Sequence, residues 1–160
     1  MNANEIINWL PPQLLKLKKD EAPELIDSES LDAQFIGFYF GAKWCGSCTR
    51  VFSDIVKFYE TINKNEKILE IIFFSKDINE EKFKQYYEEM PWLACPYKTY
   101  EQEYIEEGCD ITSLPSLLIF SNQGKLVEEK GIKLIEGTGK EAGADAAEDI
   151  YAIWLSKVSN

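Results

Sequence analysis

The chain has 160 residues, of which 45% are hydrophobic and 13% aromatic, and its formal net charge is −11. This length and composition suffice for one domain with a packed core and exclude a chain that is disordered throughout. The excess of acidic residues makes nucleic acid and anionic membranes poor partners, and no apolar run approaches the ~20 residues that a membrane helix needs. We interpret the acidity chiefly as a contribution to solubility, with steering toward a basic partner surface as the alternative.

Residues 1–34 are predicted to form a mixed lead-in to the domain. A helical turn is predicted at residues 6–10, where two consecutive prolines end it. Short strands are predicted at residues 14–17 and 24–26, on either side of a polar turn. The first ten residues lack the basic patch and apolar stretch of a secretory signal, so we expect a cytoplasmic protein.

Residues 35–130 are predicted to form the core. The nearly continuous apolar run at residues 35–40 suits a strand buried on both faces of a sheet. A turn follows, and the apolar residues of 48–62 then recur with helical period. A second buried strand is predicted at 68–74, so the strand–helix–strand order implies a right-handed parallel crossover.

The next helix is predicted to begin at a cap formed by Asp77 or Asn79 and to stop at Pro91. Its apolar face contains residues at helical spacing, namely Phe83, Tyr86, Tyr87 and Met90. A further short helix is predicted at residues 99–107.

The last part of the core is predicted to be a hairpin of strands 117–120 and 125–129. A loop at residues 137–143 and a C-terminal helix at 144–158 complete the chain. We therefore predict an α/β fold in one domain over residues 1–160, with a central mixed β-sheet flanked by helices.

Four cysteines are present, at Cys45, Cys48, Cys95 and Cys109, and there is no histidine. A chain that builds its own core does not need disulfide staples, so a Cys-x-x-Cys pair is typical of redox catalysis or metal binding. The lack of histidine excludes Cys–His and Ser–His nucleophile pairs and histidine-containing metal sites. A structural disulfide and a four-cysteine zinc site remain as minor alternatives. The zinc site is minor because the spacing of Cys95 and Cys109 matches the spacing of zinc ligands poorly.

Cys45 lies where a buried strand gives way to a helix, and this position gives the pair its predicted chemistry. The unpaired N–H groups and the helix dipole favour a thiolate there, so we expect Cys45 to be exposed and nucleophilic. Cys48, one turn later, is expected to be more buried. The i, i+3 spacing places both sulfurs on one face, close enough to form a disulfide.

Several motifs together resemble the tryparedoxin/nucleoredoxin branch of the thioredoxin superfamily. They are Phe38-Tyr39-Phe40, Trp44-Cys45-Gly46-Ser47-Cys48, Phe58-Tyr59, Met90-Pro91-Trp92-Leu93-Ala94-Cys95-Pro96-Tyr97 and Leu114-Pro115-Ser116-Leu117. The resemblance covers residues 30–130, and the Met-Pro-Trp-Leu-Ala segment after a tyrosine-rich helix is its most specific part.

The resemblance implies a thioredoxin fold with an N-terminal extension, and a protein-disulfide reductase that uses neither cofactor nor metal. Cys45 would be the attacking cysteine and Cys48 the resolving one, closing a Cys45–Cys48 disulfide. Trp44 and Leu114 would contact the substrate, and Pro115 would be a cis-proline that faces the disulfide. Substrates would be protein or small-molecule disulfides.

Two further residues are candidates for tuning the site. Tyr39 stands where ordinary thioredoxins bury an aspartate, and it is either a core aromatic or a phenol that polarises the disulfide. Lys76 stands where tryparedoxins carry a tryptophan implicated in substrate contact. Its ammonium would repel a polyamine-linked thiol, so we expect trypanothione to be a poor reductant; the alternative is a solvated surface lysine.

The expected partners are disulfide-containing protein substrates and an upstream thiol reductant, either thioredoxin reductase or a glutathione-type system. We expect a monomer that binds neither nucleic acid nor membrane. Cys95 and Cys109 are expected to be packing residues that stay reduced. The competing function is a thioredoxin-like binding or scaffold module with little turnover of its own.

Overall fold

The computed structural model of the protein describes residues 3–136 and 143–159. Within them, seven strands form one sheet in the order β2-β1-β5-β4-β3-β6-β7. The strands are β1 Gln13–Lys18, β2 Glu21–Asp27, β3 Phe35–Gly41, β4 Leu69–Ser75, β5 Leu93–Ala94, β6 Ser116–Ser121 and β7 Leu126–Glu128. The pairs β3–β4 and β4–β5 are parallel and the others are antiparallel, which confirms the predicted mixed sheet.

The helices cover both faces of this sheet. They are α1 Ala3–Trp9, α2 Gly46–Ile62, α3 Glu80–Tyr87, α4 Tyr100–Gly108, α5 Gly131–Ile135 and α6 Gly143–Val158. The predicted C-terminal helix is therefore present. Residues 137–142 of the predicted loop lie outside the described part of the chain. Within the described residues, no helix is both long and apolar enough to cross a membrane.

Strand β3 divides its side chains between two cores. Phe35 and Tyr39 point into a core formed with α2, α3 and α6, whereas Phe38 and Phe40 point into a core that also contains Ile105 of α4. Because both faces of the strand are covered, the sequence shows a continuous apolar run instead of alternation. This central strand ends at Gly41, directly before the segment that carries the two nearby cysteines.

The structure adds three details to the prediction for residues 77–94. Helix α3 ends at Tyr87 and not at Pro91, because tight turns follow in which Met90 N–H donates to Tyr87 O at 2.9 Å. Asn79, not Asp77, caps that helix by accepting a hydrogen bond from Lys82 N–H at 2.9 Å. Strand β5 has only two residues, too few to produce a periodic pattern.

Candidate active site

Cys45 and Cys48 lie at the start of α2, immediately beyond the end of β3. Cys45 is the N-cap residue of the helix, and its Sγ accepts a hydrogen bond from Cys48 N–H at 3.2 Å. Its own N–H donates to Ala42 O at 3.2 Å, which closes a tight turn between strand and helix. The sulfur of Cys45 therefore occupies the place where a side-chain acceptor caps a helix and where negative charge is favoured.

Cys45 is more enclosed than the sequence predicted. Cys45 is only 7% exposed, so the expectation of an exposed Cys45 is wrong, whereas Cys48 is fully buried as expected. The reason is that Ala42 and the half-buried Leu114 pack against both cysteines. All four cysteines are free thiols in this structure.

The environment of Cys48 favours its neutral form. Burial is the main cause that raises the pKa of Cys48, and a hydrogen bond with Cys45 raises it further. The backbone of Ala42 and the hydroxyl of Tyr39 act in the opposite direction and lower this pKa. Cys48 therefore carries its proton at neutral pH, and Tyr39 is the side chain besides Cys45 that tunes it.

Trp44, Leu114 and Pro115 are the residues that the sequence predicted to contact the substrate. Trp44 is 60% exposed, and its indole Nε1–H donates to Lys76 O at 2.9 Å, which fixes the ring. The Leu114–Pro115 peptide bond is cis, which confirms the predicted cis bond. Leu114 packs against the cluster that contains the two cysteines, and Trp44 directly precedes Cys45 in the chain.

The Lys76 ammonium has a partner on α4. Its Nζ lies 3.1 Å from Glu106 Oε2, and the lysine side chain is 43% exposed while that of Glu106 is 17% exposed. This pairing offsets part of the positive charge that Lys76 would present to a substrate. The backbone carbonyl of Lys76, which holds Trp44, is the part of this residue that acts most directly on the site.

Tyr39 forms a buried pair with Tyr86 of α3. Tyr39 is fully buried, and its hydroxyl lies 2.9 Å from the Tyr86 hydroxyl. Burial raises the pKa of both phenols, so both stay protonated at neutral pH. From the sequence, Tyr86 is recognisable only as a member of an apolar helix face. The single sign of a hydrogen-bonded role is that a ring bearing a hydroxyl occupies a core position.

Asp77 is a second residue whose position the sequence did not indicate. It is 5% exposed, and its carboxylate accepts hydrogen bonds from Lys43 N–H at 2.8 Å and from Ser75 Oγ at 2.5 Å. The loop after β4 is thereby joined to the segment that precedes Trp44. Its carboxylate stabilises the turn that presents the cysteine pair.

The other two cysteines lie in the opposite core. Cys95 is fully buried, with its Sγ 3.2 Å from Thr99 Oγ1, and Cys109 packs half-buried against the same cluster. Burial raises the pKa of Cys95 to about 12 and also raises that of Cys109. Among the described residues, no group of three or more potential ligands is placed to hold a metal ion.

The comparisons with known proteins agree with this geometry. A family model described as thioredoxin-like matches residues 33–126. The chain is 36% identical over 120 residues to probable nucleoredoxin 1 of Arabidopsis thaliana and 36% identical over 107 residues to nucleoredoxin of Mus musculus. These matches cover 74% and 66% of the chain but only 21% and 25% of the relatives, so the chain spans about a quarter of their length.

A solved structure shows the same architecture over nearly the whole chain. Tryparedoxin II in complex with glutathionylspermidine superposes with a TM-score of 0.72 and 26% sequence identity, covering 88% of this chain and 93% of that one. The likeness confirms a thioredoxin-like fold with extra N-terminal strands, and the relatives are those that the motifs indicated. The chain belongs to the thioredoxin-like family, with nucleoredoxins and tryparedoxins among its relatives.

Proposed function

We propose that this protein is a thiol–disulfide oxidoreductase that reduces protein or small-molecule disulfides through Cys45 and Cys48. The observation that carries the proposal is the capping geometry. The sulfur of Cys45 accepts the N–H of Cys48 at 3.2 Å at the first turn of α2, while Cys48 itself is buried. The unpaired N–H groups and the positive dipole end of α2 lie at Cys45 Sγ, and the second thiol is held one turn away.

The reaction takes two exchange steps. The Cys45 thiolate attacks one sulfur of a substrate disulfide, forming a mixed disulfide and releasing the first substrate thiolate. Cys48 then loses its proton and attacks Cys45 Sγ, which closes the Cys45–Cys48 disulfide and releases the second substrate thiolate. The substrate gains two electrons and, with two protons, becomes a dithiol; the protein loses the same two electrons.

Tyr39 serves the second step in this proposal. Cys48 must ionise in a buried place that disfavours its charge. The Tyr39 hydroxyl lowers the pKa of Cys48, and Tyr86, whose hydroxyl lies 2.9 Å away, can donate to Tyr39 at the same time. The two phenols thus form a short chain of donors directed at the developing thiolate.

Trp44, Leu114 and Pro115 form the substrate contacts in this proposal. The exposed Trp44 ring offers an apolar surface beside Cys45, and Leu114 already packs against the thiols. A substrate chain that contacts both residues would bring its disulfide to Cys45 Sγ. The 7% exposure of Cys45 means that such contacts must guide the disulfide to the sulfur.

An insulin-reduction assay driven by dithiothreitol tests the proposal against the scaffold alternative. We expect precipitation of insulin chains at least tenfold faster than with dithiothreitol alone, and loss of that acceleration in Cys45→Ser. The Cys95→Ser variant is the matched control, because its thiol lies in the other core, and it should retain the activity. Insulin precipitation that is no faster with the protein than with dithiothreitol alone would favour the scaffold module.

The upstream reductant is proposed to be thioredoxin reductase or a glutathione-type system. Lys76 carries a positive charge where an aromatic ring would attract a polyamine, although Glu106 offsets part of it. We therefore expect trypanothione to bind more weakly than the other donors, but only by about tenfold or less. Steady-state reduction of the oxidised protein by each donor measures this preference. Lys76→Trp should increase the rate of reduction by trypanothione and leave the rates with the other donors unchanged. If trypanothione is already the best donor with Lys76 in place, the proposal is wrong.

A further inference from the structure

Helix α4 presents two aromatic side chains to solvent that the exchange chemistry does not use. Tyr100 is 76% exposed and Tyr104 is 62% exposed, and their i, i+4 spacing places them one above the other on the same face. On the other side of the helix, Gln102 and Ile105 are buried, so α4 is held firmly against the sheet. Grouped exposed aromatic rings on a rigid element are typical of an interaction surface.

Every charged residue of α4 itself is acidic. Helix α4 contains four glutamates and neither lysine nor arginine. Glu103 and Glu107 are exposed beside the tyrosines, and among the described residues no ion pair joins either of them to a cation. Carboxylates and aromatic faces together suit lysine and especially arginine side chains, which pair with the former and stack on the latter.

The helix also adjoins the proposed active site at both of its ends. Its Gln102 Nε2 donates to Ser75 O at 2.8 Å, and its Glu106 pairs with Lys76, whose carbonyl holds Trp44. Residues 109–113 then lead from α4 to Leu114. Helix α4 is therefore joined to Trp44 through Lys76 and to Leu114 through residues 109–113.

We propose that the outer face of α4, formed by Tyr100, Glu103, Tyr104 and Glu107, docks a lysine- and arginine-rich segment of a disulfide-bearing protein substrate. This inference rests on the proposed function and specifies its substrate class. The net charge of −11 attracts basic partners from a distance. The outer face of α4 adds short-range contacts that hold such a segment next to the thiols.

The test compares two synthetic peptides with the same disulfide ring, one with a Lys/Arg tail and one with a Glu tail. Turnover is driven by dithiothreitol, and the neutral bis(2-hydroxyethyl) disulfide serves as a third substrate. We expect a KM about tenfold lower for the basic tail than for the acidic tail at low salt, with the difference shrinking in high salt.

Two double variants probe the face itself. Tyr100→Ala/Tyr104→Ala removes the rings with a residue that favours helix, and Glu103→Gln/Glu107→Gln removes the charges without changing shape. Each should raise KM for the basic-tailed peptide about fivefold, with kcat and the reduction of the neutral disulfide unchanged. Circular dichroism checks that both variants are folded.

Glu60→Gln/Glu66→Gln is the matched control, because it removes the same charge from exposed positions near the far end of α2. It should change KM less than about twofold. An equal rise of KM in this control would show that the electrostatic field of the whole protein attracts the peptide, and not the outer face of α4. Unchanged KM in the α4 variants would overturn the proposal. Failure of the wild-type protein to reduce even the neutral disulfide would instead refute the proposed function.

Discussion

Two cysteines one turn apart play unequal parts because their surroundings differ. Cys45 caps α2 and is 7% exposed, whereas Cys48 is fully buried and keeps its proton at neutral pH. In the proposed exchange the first cysteine attacks the substrate and the second waits for the mixed disulfide. The groups that lower the pKa of Cys48, above all Tyr39 among the side chains, then control how fast the substrate leaves.

Tyr39→Phe should slow resolution and shift its pH dependence. Removing the hydroxyl removes a group that lowers the pKa of Cys48, so this pKa rises further and the thiolate forms only at higher pH. The rate of the second step at pH 7 should fall about tenfold, the effect of a lost hydrogen bond to a charged group worth roughly 1.5 kcal/mol. Stopped-flow decay of a preformed mixed disulfide on Cys45, followed from pH 6 to 10, measures both effects.

Tyr59→Phe is the matched control for this change. Tyr59 lies in the same core as Tyr39, but its hydroxyl donates to Glu70 at 2.9 Å and not toward the thiols. This variant should leave the pH profile in place. If Tyr39→Phe also leaves the profile in place, the phenol is only a packing group.

At the scale of elements, sequence patterns predicted the parts that position the site. The continuous apolar run of β3 and the helical period of α2 each occupy enough residues to be recognised, and their junction located Cys45. The two-residue β5 has no such period. The contacts of Asp77 and Tyr86 come from separate elements packing together, with the Tyr39–Tyr86 pair 47 positions apart in the chain, so local patterns carry no sign of them.

The end of β3 provides a test of how tightly the strand and the tyrosine pair fit. A Cβ added at Gly41 would lie 2.7 Å from Tyr39 Oη and 2.8 Å from its Cζ. Because that ring is fully buried and hydrogen-bonded, it cannot move away easily, and Gly41→Ala should cost about 1–3 kcal/mol of unfolding free energy. Urea unfolding of the reduced protein measures this cost.

Gly46→Ala is the matched control, since a Cβ at Gly46 would meet nothing within 4 Å. Alanine is also the better helix former, so Gly46→Ala should leave stability unchanged or raise it. Equal stability of the two variants would mean that Tyr39 is not held as firmly as the structure indicates.

At the scale of the whole molecule, the four cysteines fall into two separate clusters. Cys45 and Cys48 lie beyond the carboxyl end of the central strand, in a cluster against which Leu114 packs. Cys95 and Cys109 belong to the core that contains Phe38 and Phe40. Burial raises the pKa of both remote thiols, so they stay protonated and inert at neutral pH. The four-cysteine arrangement predicts one reactive pair and two packing residues.

A trapping experiment with Cys48→Ser tests most directly whether Cys45 is the attacking thiol. The variant is incubated with a protein disulfide substrate at pH 7, and the covalent adduct is mapped by mass spectrometry without reduction. We expect one substrate molecule per chain, attached to Cys45, with Cys95 and Cys109 unmodified, and no adduct in Cys45→Ser/Cys48→Ser. An adduct on Cys95 or Cys109, or a stable adduct on Cys48 in the reciprocal Cys45→Ser variant, would contradict the assignment of Cys45 as the attacking thiol.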